Sequence, residues 1–362
     1  MYKNMKNTKK ARTVRALKEL VLRNPGGVSR QEAADTLDID LRTAAAYLEQ
    51  LTADGLFRRE CACSGRKGRP GAVYCSNADA LCFLGMGIFQ NLTVSAVVID
   101  SAGHTLRKES MRLPENTTRL NVFSAIREFV CRFRKVENRR LYGIGLAISR
   151  WLQPPLSGGD TYANLTDYLE RETGIAVHRD VNINTVAYAC ATEMHLRNLA
   201  VVHLGLVIEF GLVLNGEPER DFARREAWLS HMCVNPRGRR CYCGKYGCLE
   251  NYVTHGALAE RLKMQPNSPV IIQSLGAMLG LALTRMIQKF KVDTVIQISA
   301  EELFPEVANY VRRHAPEQTQ LLLRSLNPSV EYGAALEAAH FELYRFTSQP
   351  MQPTLQNKER IV

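Results

Sequence analysis

His231, Cys241, Cys243 and Cys248 are the residues whose types and spacing best suit a defined chemistry. They lie in SHMCVNPRGRRCYCGKYGCLENY, residues 230–252. Three thiolates and one imidazole form a complete tetrahedral donor set for a closed structural Zn2+ site. Gly244 and Gly247 allow the short loop to bring its sulfurs to one point. The alternative, a disulfide framework, fits poorly, because ten Cys in 362 residues is neither dense nor confined to a short secreted scaffold. Cys61, Cys63, Cys75, Cys82, Cys131 and Cys190 lack a nearby His or a second matching pair and are expected to be buried or incidental thiols. A second metal site at Cys61, Cys63 and Cys75 is the less favoured alternative for three of them.

The start, MYKNMKNTKK, is basic and has no apolar stretch of a signal peptide. No apolar run is expected to reach the length of a membrane span, so a reducing cytoplasm is the expected compartment. At 46% hydrophobic residues the chain has ample core for two or three units. Its charge is uneven: residues 1–75 hold 15 Lys and Arg against 8 Asp and Glu, which is +7 of the formal +11. The imbalance points to a polyanion partner for this segment, with a solvated basic surface as the plain alternative.

Local patterns favour the polyanion. Val14, Leu17, Leu20 and Val21 predict a helix ending near Asn24, Pro25 and the glycines at 26 and 27. Ser29 followed by Glu32 is a capping-box pattern opening a second helix with Ala33, Ala34 and Leu37 inward. A third runs from about Leu41 with Ala44, Ala45, Leu48 and Leu51 inward, and Gly55 is placed to cap its end. LFRRECACSGRKGRPGAVYCS then reads as two short strands around a basic, glycine-rich turn holding Arg66, Lys67 and Arg69. This is the order of a winged helix-turn-helix, in which the third helix enters the major groove of double-stranded DNA and the wing reaches phosphate or the minor groove. Arg42, Thr43 and Tyr47 are the expected contacts from the helix, and Arg66, Lys67 and Arg69 those from the wing.

From Cys82 the pattern changes to three antiparallel strands, FLGMGIFQ, LTVSAVVID and TLRKESMRL, then a helix over 119–135 and a buried strand LYGIGLAIS. Alternating elements continue through ETGIAVHRD, VVHLGLVIEFGLVLNGE and DTVIQIS, giving an α/β class with mixed sheets.

The string CxCGxxGCxE ending at Glu250, with His231 upstream, GRP at residues 68–70 and DxN at residues 180–182, resembles the ROK family (repressor, open reading frame, kinase). The resemblance covers about residues 10–345. It implies an N-terminal winged helix-turn-helix over 1–80 and a two-lobed, actin-like and ribonuclease-H-like sugar-kinase body over 81–347 with an inserted zinc loop. The first lobe is expected over about 81–197 with a C-terminal helix over about 330–347, and the second over about 198–329. Residues 348–362 are expected to be a disordered tail.

The family holds both sugar kinases and repressors, and the phosphate turns discriminate them. Where the resemblance places a DxGGTK-like turn this chain has residues 87–92, GIFQNL, without the Asp and the paired glycines. A GTGIG-like turn is replaced by residues 205–209, GLVIE, and a late Gly-Gly by Ile298 and Ser299. Three losses in one direction argue against ATP binding and against enzyme activity. Asp180 resembles the kinase base and is expected to be catalytically inactive; the alternatives are ligand contact or an N-cap of the helix that follows.

The implied sugar pocket is altered too. Ser149 and Arg150 replace a Pro-Gly pair, Arg179 replaces an Asn, and Trp228 stands in place of a Glu, a formal change of +3 if all face the pocket. An anionic effector such as a sugar phosphate or sugar acid is one expectation, held by Arg150, Arg179, Asp180 and Glu250 with Trp228 as a stacking wall. A decayed site is the other. The combined expectation is a DNA-binding regulator, a repressor of carbohydrate-related genes, acting as a homodimer or higher homo-oligomer on a DNA operator. The alternatives are a sugar kinase with an added DNA-binding segment and a constitutive DNA-binding protein without an effector.

Overall fold

Residues 9–23 place Leu17 and Val21 on one buried stripe, and this stripe makes α1 (Lys9–Arg23) an amphipathic helix. The computed structural model of the protein describes residues 9–24, 26–61, 72–89, 92–113, 119–148, 164–219, 226–265, 268–324, 329–343 and 360–361. After α1 come β1 (Val28–Ser29), α2 (Arg30–Leu37) and α3 (Leu41–Ala53). The capping box at α2 forms as the sequence predicts: Glu32 N donates to Ser29 Oγ and the Glu32 carboxylate accepts from Ser29 N. The start of α3 has a device not read from the sequence, since the Asp40 carboxylate accepts from the amides of Arg42 at 2.8 Å and Thr43 at 3.3 Å. Strands β2 (Phe57–Cys61) and β3 (Ala72–Ser76) then pair antiparallel, and β1 adds to β3 to give the order β1-β3-β2.

The chain divides into two compact units. The first takes residues 1–146, 153–179 and 335–346, so the three N-terminal helices cluster with part of the body. Its main sheet uses β4 (Leu81–Ile88), β5 (Thr93–Asp100) and β6 (Thr105–Arg112), antiparallel neighbours as the sequence predicts. All eight residues of β4 are buried, while β6 is an exposed edge. Helix α4 (Arg119–Cys131) is shorter than the stretch expected over 119–135. The chain instead turns at Glu137, whose φ is 55°, to make the hairpin of β7 (Lys135–Val136) and β8 (Arg139–Ile148). Strand order is β6-β5-β4-β8-β7, and after α5 (Leu165–Thr173), β9 (Ala176–Val181) joins β8.

The second unit takes residues 147–152, 180–334 and 347–362. After α6 (Asn182–Glu193), its sheet is built from β10 (Leu199–Leu204), β11 (Ile208–Leu214) and β12 (Glu217–Pro218). Then follow α7 (Glu226–Ser230), α8 (Glu250–Val253), α9 (His255–Met264), α10 (Pro269–Phe290), β13 (Thr294–Ile298), α11 (Phe304–His314), β14 (Gln320–Arg324), α12 (Val330–Leu343), which from residue 335 belongs to the first unit, and β15 (Arg360–Ile361). The order β12-β11-β10-β13-β14-β15 is mixed, with β10, β13 and β14 parallel and the remaining pairs antiparallel. Leu204, Phe210, Leu279, Leu283, Met286 and Val307 share one apolar core.

Three expectations change here. The lobe boundary expected near residue 197 moves to 180, because α6 is tied to β11: Leu212 N donates to Asn184 Oδ1 at 3.2 Å. The expected disorder of the tail does not extend to Arg360 and Ile361. They pair with Leu323 and Leu322, because the outer edge of β14 offers open backbone groups. Finally, α10 is long and apolar enough to cross a membrane, against the expectation that no run approached that length. Leu275, Leu279, Leu283 and Met286 spend that apolarity in the core of the second unit.

Candidate functional site

In the hairpin after α7, the side chains of His231, Cys241, Cys243 and Cys248 converge, with all ligand atoms within 4.8 Å of one another. Cys241 Sγ lies 3.5 Å from His231 Nδ1 and Cys243 Sγ lies 3.6 Å from Cys248 Sγ. A tetrahedral zinc with ordinary bond lengths would set sulfurs about 3.8 Å apart and sulfur and nitrogen about 3.6 Å apart. The cluster therefore has the dimensions of a metal site, and the four donors are those expected. Gly244 and Gly247 have φ of 89° and 65°, and a Cβ on Gly247 would fall 1.6 Å from Asn235 O, so that position admits only glycine. Burial and the neighbouring thiols push Cys248 up to about 12, whereas the amide of Lys245 draws the exposed Cys243 down. Burial also lowers His231, which favours the neutral ring a metal needs. Cys233, which the sequence reading passed over, is exposed and pairs across an isolated bridge with Cys248, outside the four-donor cluster.

The hairpin feeds directly into Glu250, which is 5% exposed at the start of α8. Its carboxylate accepts from Ile208 N at 3.3 Å, and Ser230 Oγ donates to Ile208 O at 3.0 Å. Both clamp the start of β11. Burial raises the Glu250 carboxyl above its ordinary range, against the opposing bonds from Ile208 and Ser230.

Asp180 is buried and accepts from Val181 N at 2.7 Å and Asn184 Nδ2 at 3.0 Å. Asn184 also donates to Glu219 O, so the carboxylate is braced to α6 and, through Leu212, to β11. It is not the N-cap, as one reading had it: Val181 occupies that position, without a side-chain capping bond. Trp228, expected as a stacking wall, is half-buried and has neighbours of its own. Lys289 Nζ sits 4.2 Å from its ring centroid, Phe290 meets it edge-on at 5.7 Å and 85°, and it packs against the apolar core. Arg179 is half-buried on β9 in the first unit, and Arg150 lies outside the described residues.

Two turns of the second unit, those the resemblance matches to phosphate turns, have a defined local geometry. Ser299 and Ala300 have φ of 69° and 54°, conformations that glycine adopts freely and L-residues adopt at a cost. Gln297, fully buried, holds the turn by donating from Nε2 to both Ser299 O and Ala300 O at 3.1 Å. In the turn from β10 to β11, Leu206 is 77% exposed, Gly205 N donates to Val207 O, and Glu209 pairs with His203 at 3.1 Å. The carboxylate that the sequence placed against phosphate is thus matched to an imidazole.

On α3, Arg42 is exposed and Thr43 and Tyr47 are half-buried, near Lys10 Nζ, which lies 5.9 Å from the Tyr47 ring centroid. Arg66, Lys67 and Arg69 lie outside the described residues. A brace missed in the sequence supports the helix: Glu49 accepts from Arg30 and, at 2.6 Å, from the buried Tyr74 hydroxyl, with Arg59 3.9 Å away. Bonds from Tyr74 and then Arg30 hold the Glu49 carboxyl below its ordinary range.

The ROK family profile matches residues 92–317, well over half of the chain. The chain belongs to the ROK family. Among curated ROK relatives it is 21% identical over 329 residues to the xylose repressor of Bacillus spizizenii, covering 82% of this chain and 84% of that one. It is 24% identical over 186 residues to the DNA-binding transcriptional repressor Mlc of Escherichia coli, where the match spans 42% of this chain and less than half, 46%, of Mlc. Among solved structures, a ROK family transcriptional regulator described as a homolog of the E. coli Mlc protein aligns with TM-score 0.68 at 17% identity, over 92% of this chain and 97% of its own. The ROK hexokinase of Thermus thermophilus aligns with TM-score 0.58 at 22% identity, over 71% of this chain and 98% of its own. These likenesses establish the ROK sugar-kinase fold of the body.

Proposed function

We propose that this ROK protein is a cytoplasmic DNA-binding transcriptional repressor of carbohydrate-related genes, without phosphotransfer activity. The observation that carries the reading is the alignment length. The hexokinase fills nearly all of its own chain with the body and leaves over a quarter of this one unmatched, whereas the regulator aligns over 92% of it. The N-terminal segment holds α1 to α3 and the β2–β3 pair with a basic charge excess, which we read as a winged helix with Arg42, Thr43, Tyr47, Arg66, Lys67 and Arg69 toward DNA. The repressors among its relatives support the same assignment.

In the body, the four-donor hairpin takes Zn2+ as a structural ion and so fixes Glu250 against β11. The sequence changes at residues 87–92, 205–209 and 298–299 support a reading without ATP use, and the hydrogen bond from Asn184 to Asp180 supports a bracing role for that carboxylate. Repression by a two-fold homodimer would match palindromic half-sites. An effector is a sugar or an anionic sugar derivative, and Arg150, Arg179, Asp180 and Glu250 are the residues whose substitution should alter the response. It would act by binding one arrangement of the protein better than another.

The test is recovery of genomic fragments bound by the full-length protein at a stated salt concentration, repeated with neutral and phosphorylated sugars present. A shared palindromic sequence whose capture falls with a sugar is the expected result. Absence of any enriched sequence, or ATP-dependent phosphorylation of a hexose, would overturn the assignment.

A further inference from the structure

Lys18 is a buried cation in the apolar stripe of α1, only 8% exposed beside Leu17 and Val21. A lysine there needs partners, and it finds them at the far end of the chain. Lys18 Nζ donates to the backbone carbonyl of Glu342 at 3.0 Å and lies 4.0 Å from its carboxylate. Glu342 is in the last turn of α12, where carbonyls lack intrahelical partners and the helix dipole is negative, so the ammonium serves as a C-terminal cap from another element. The other carboxylate oxygen accepts from His178 Nε2 on β9 at 2.8 Å, and the His178 ring stacks on Phe341 at 5.1 Å. Lys18 Nζ also stands 5.9 Å from the centroid of the Tyr142 ring on β8.

Neighbouring residues keep this junction close. A Cβ on Gly143 of β8 would come within 3.0 Å of Glu342 Cγ and 3.1 Å of Phe83, so the bare strand lets the Glu342 side chain approach. Asp54, the C-cap of α3, adds a favourable charge for Lys18, and Arg140 of β8 reaches toward Gly55 just beyond it. Burial nonetheless draws the Lys18 ammonium below the ordinary lysine range, with Glu342 and Asp54 opposing. All of these groups belong to the first unit.

We propose that Lys18, Glu342 and His178 form a positioning junction that sets how α1, and with it the recognition helix α3, is held on the α12 and β9 surface of the first unit. Buried ion pairs contribute little net stability compared with apolar packing, but they demand one geometry. Here the demand links the segment read as DNA-binding to the strand that enters the second unit at Asp180, two residues beyond His178. A displacement of β9 has a hydrogen-bonded route to α1 through one carboxylate. The DNA-binding consequence rests on the function proposed above, but the junction itself does not.

Hydrogen exchange on the full-length protein tests it without DNA, so its outcome is independent of that function. Lys18→Met and Glu342→Gln conserve bulk, and each should speed exchange of α1 amides by about ten-fold while changing β4 and β5 amides less than about two-fold. His178→Gln, which removes no α1 atom, should speed α1 exchange by about three-fold. Unchanged α1 exchange in the first two variants overturns the junction, and equal acceleration in α1, β4 and β5 reduces it to a general stabilising contact and overturns positioning. Unchanged α1 exchange in His178→Gln overturns the link to β9.

Discussion

The four-donor hairpin and the turn after β13, both in the second unit, contrast in how residue type and backbone agree. In the hairpin, backbone and chemistry agree: left-handed glycines stand at 244 and 247, and every donor faces the others at metal-site distances. In the turn after β13, a left-handed backbone stands at Ser299 and Ala300, neither of them glycine, and a buried Gln297 holds it. A buried side chain can thus hold a backbone shape that the residues in the turn do not themselves favour. A matching backbone identifies a fold, whereas function follows from the side chains placed on it.

The largest effect expected from breaking this contrast is on the hairpin. Cys241→Ser or Cys243→Ser should lose one zinc per chain by elemental analysis and lower the melting temperature of the protein by about 10 °C or more. An unchanged melting transition would show that the hairpin needs no ion. Next is Trp228, which packs on Phe290 and under Lys289. Trp228→Ala should cost about 2–3 kcal/mol in denaturant unfolding while leaving thermal shifts by sugars unaltered. A selective loss of those shifts would place the indole in the pocket.

Smaller is the relief expected at the turn after β13. Ala300→Gly should stabilise the protein by about 1 kcal/mol, because φ of 54° burdens alanine, and should still give no ATP binding by calorimetry. ATP binding by this variant would mean that the glycine alone had been missing. The smallest effect is at Glu49. Its folded carboxyl is held below the unfolded value by Tyr74 and Arg30, so its contribution is present above the ordinary carboxylate range and lost as pH falls through the lowered value. Being exposed, it is worth less than about 1 kcal/mol. Glu49→Gln should be slightly less stable than wild type at neutral pH, with the difference vanishing in strong acid; an equal difference at both extremes points instead to packing.

Much of this was legible in the sequence for local reasons. The capping box at Ser29 and Glu32, the buried strands around residues 81–100 and the donor spacing at 231–248 are set by neighbours in the chain, and each forms as read. The missed features depend on contacts distant in sequence. Nothing near Trp228 announces Lys289 and Phe290, nothing near Asp180 announces Glu219 O, and Lys18 is separated from Glu342 by 324 positions. The placement of α6 in the second unit is of the same kind, since Asn184 and Leu212 decide it and periodicity does not. One signal was available and unread: a lysine between Leu17 and Val21 interrupts an apolar stripe, and such an interruption calls for a buried partner.

The most direct test of the repressor assignment is fluorescence anisotropy on a recovered genomic fragment and its shuffled sequence, at one fixed salt concentration, with wild type and Arg42→Ala. The wild type should bind the recovered fragment about 1,000-fold or more tightly than the shuffled one, and Arg42→Ala should lose about 10- to 100-fold on the recovered fragment alone. Equal affinity of the wild type for both sequences would contradict the assignment.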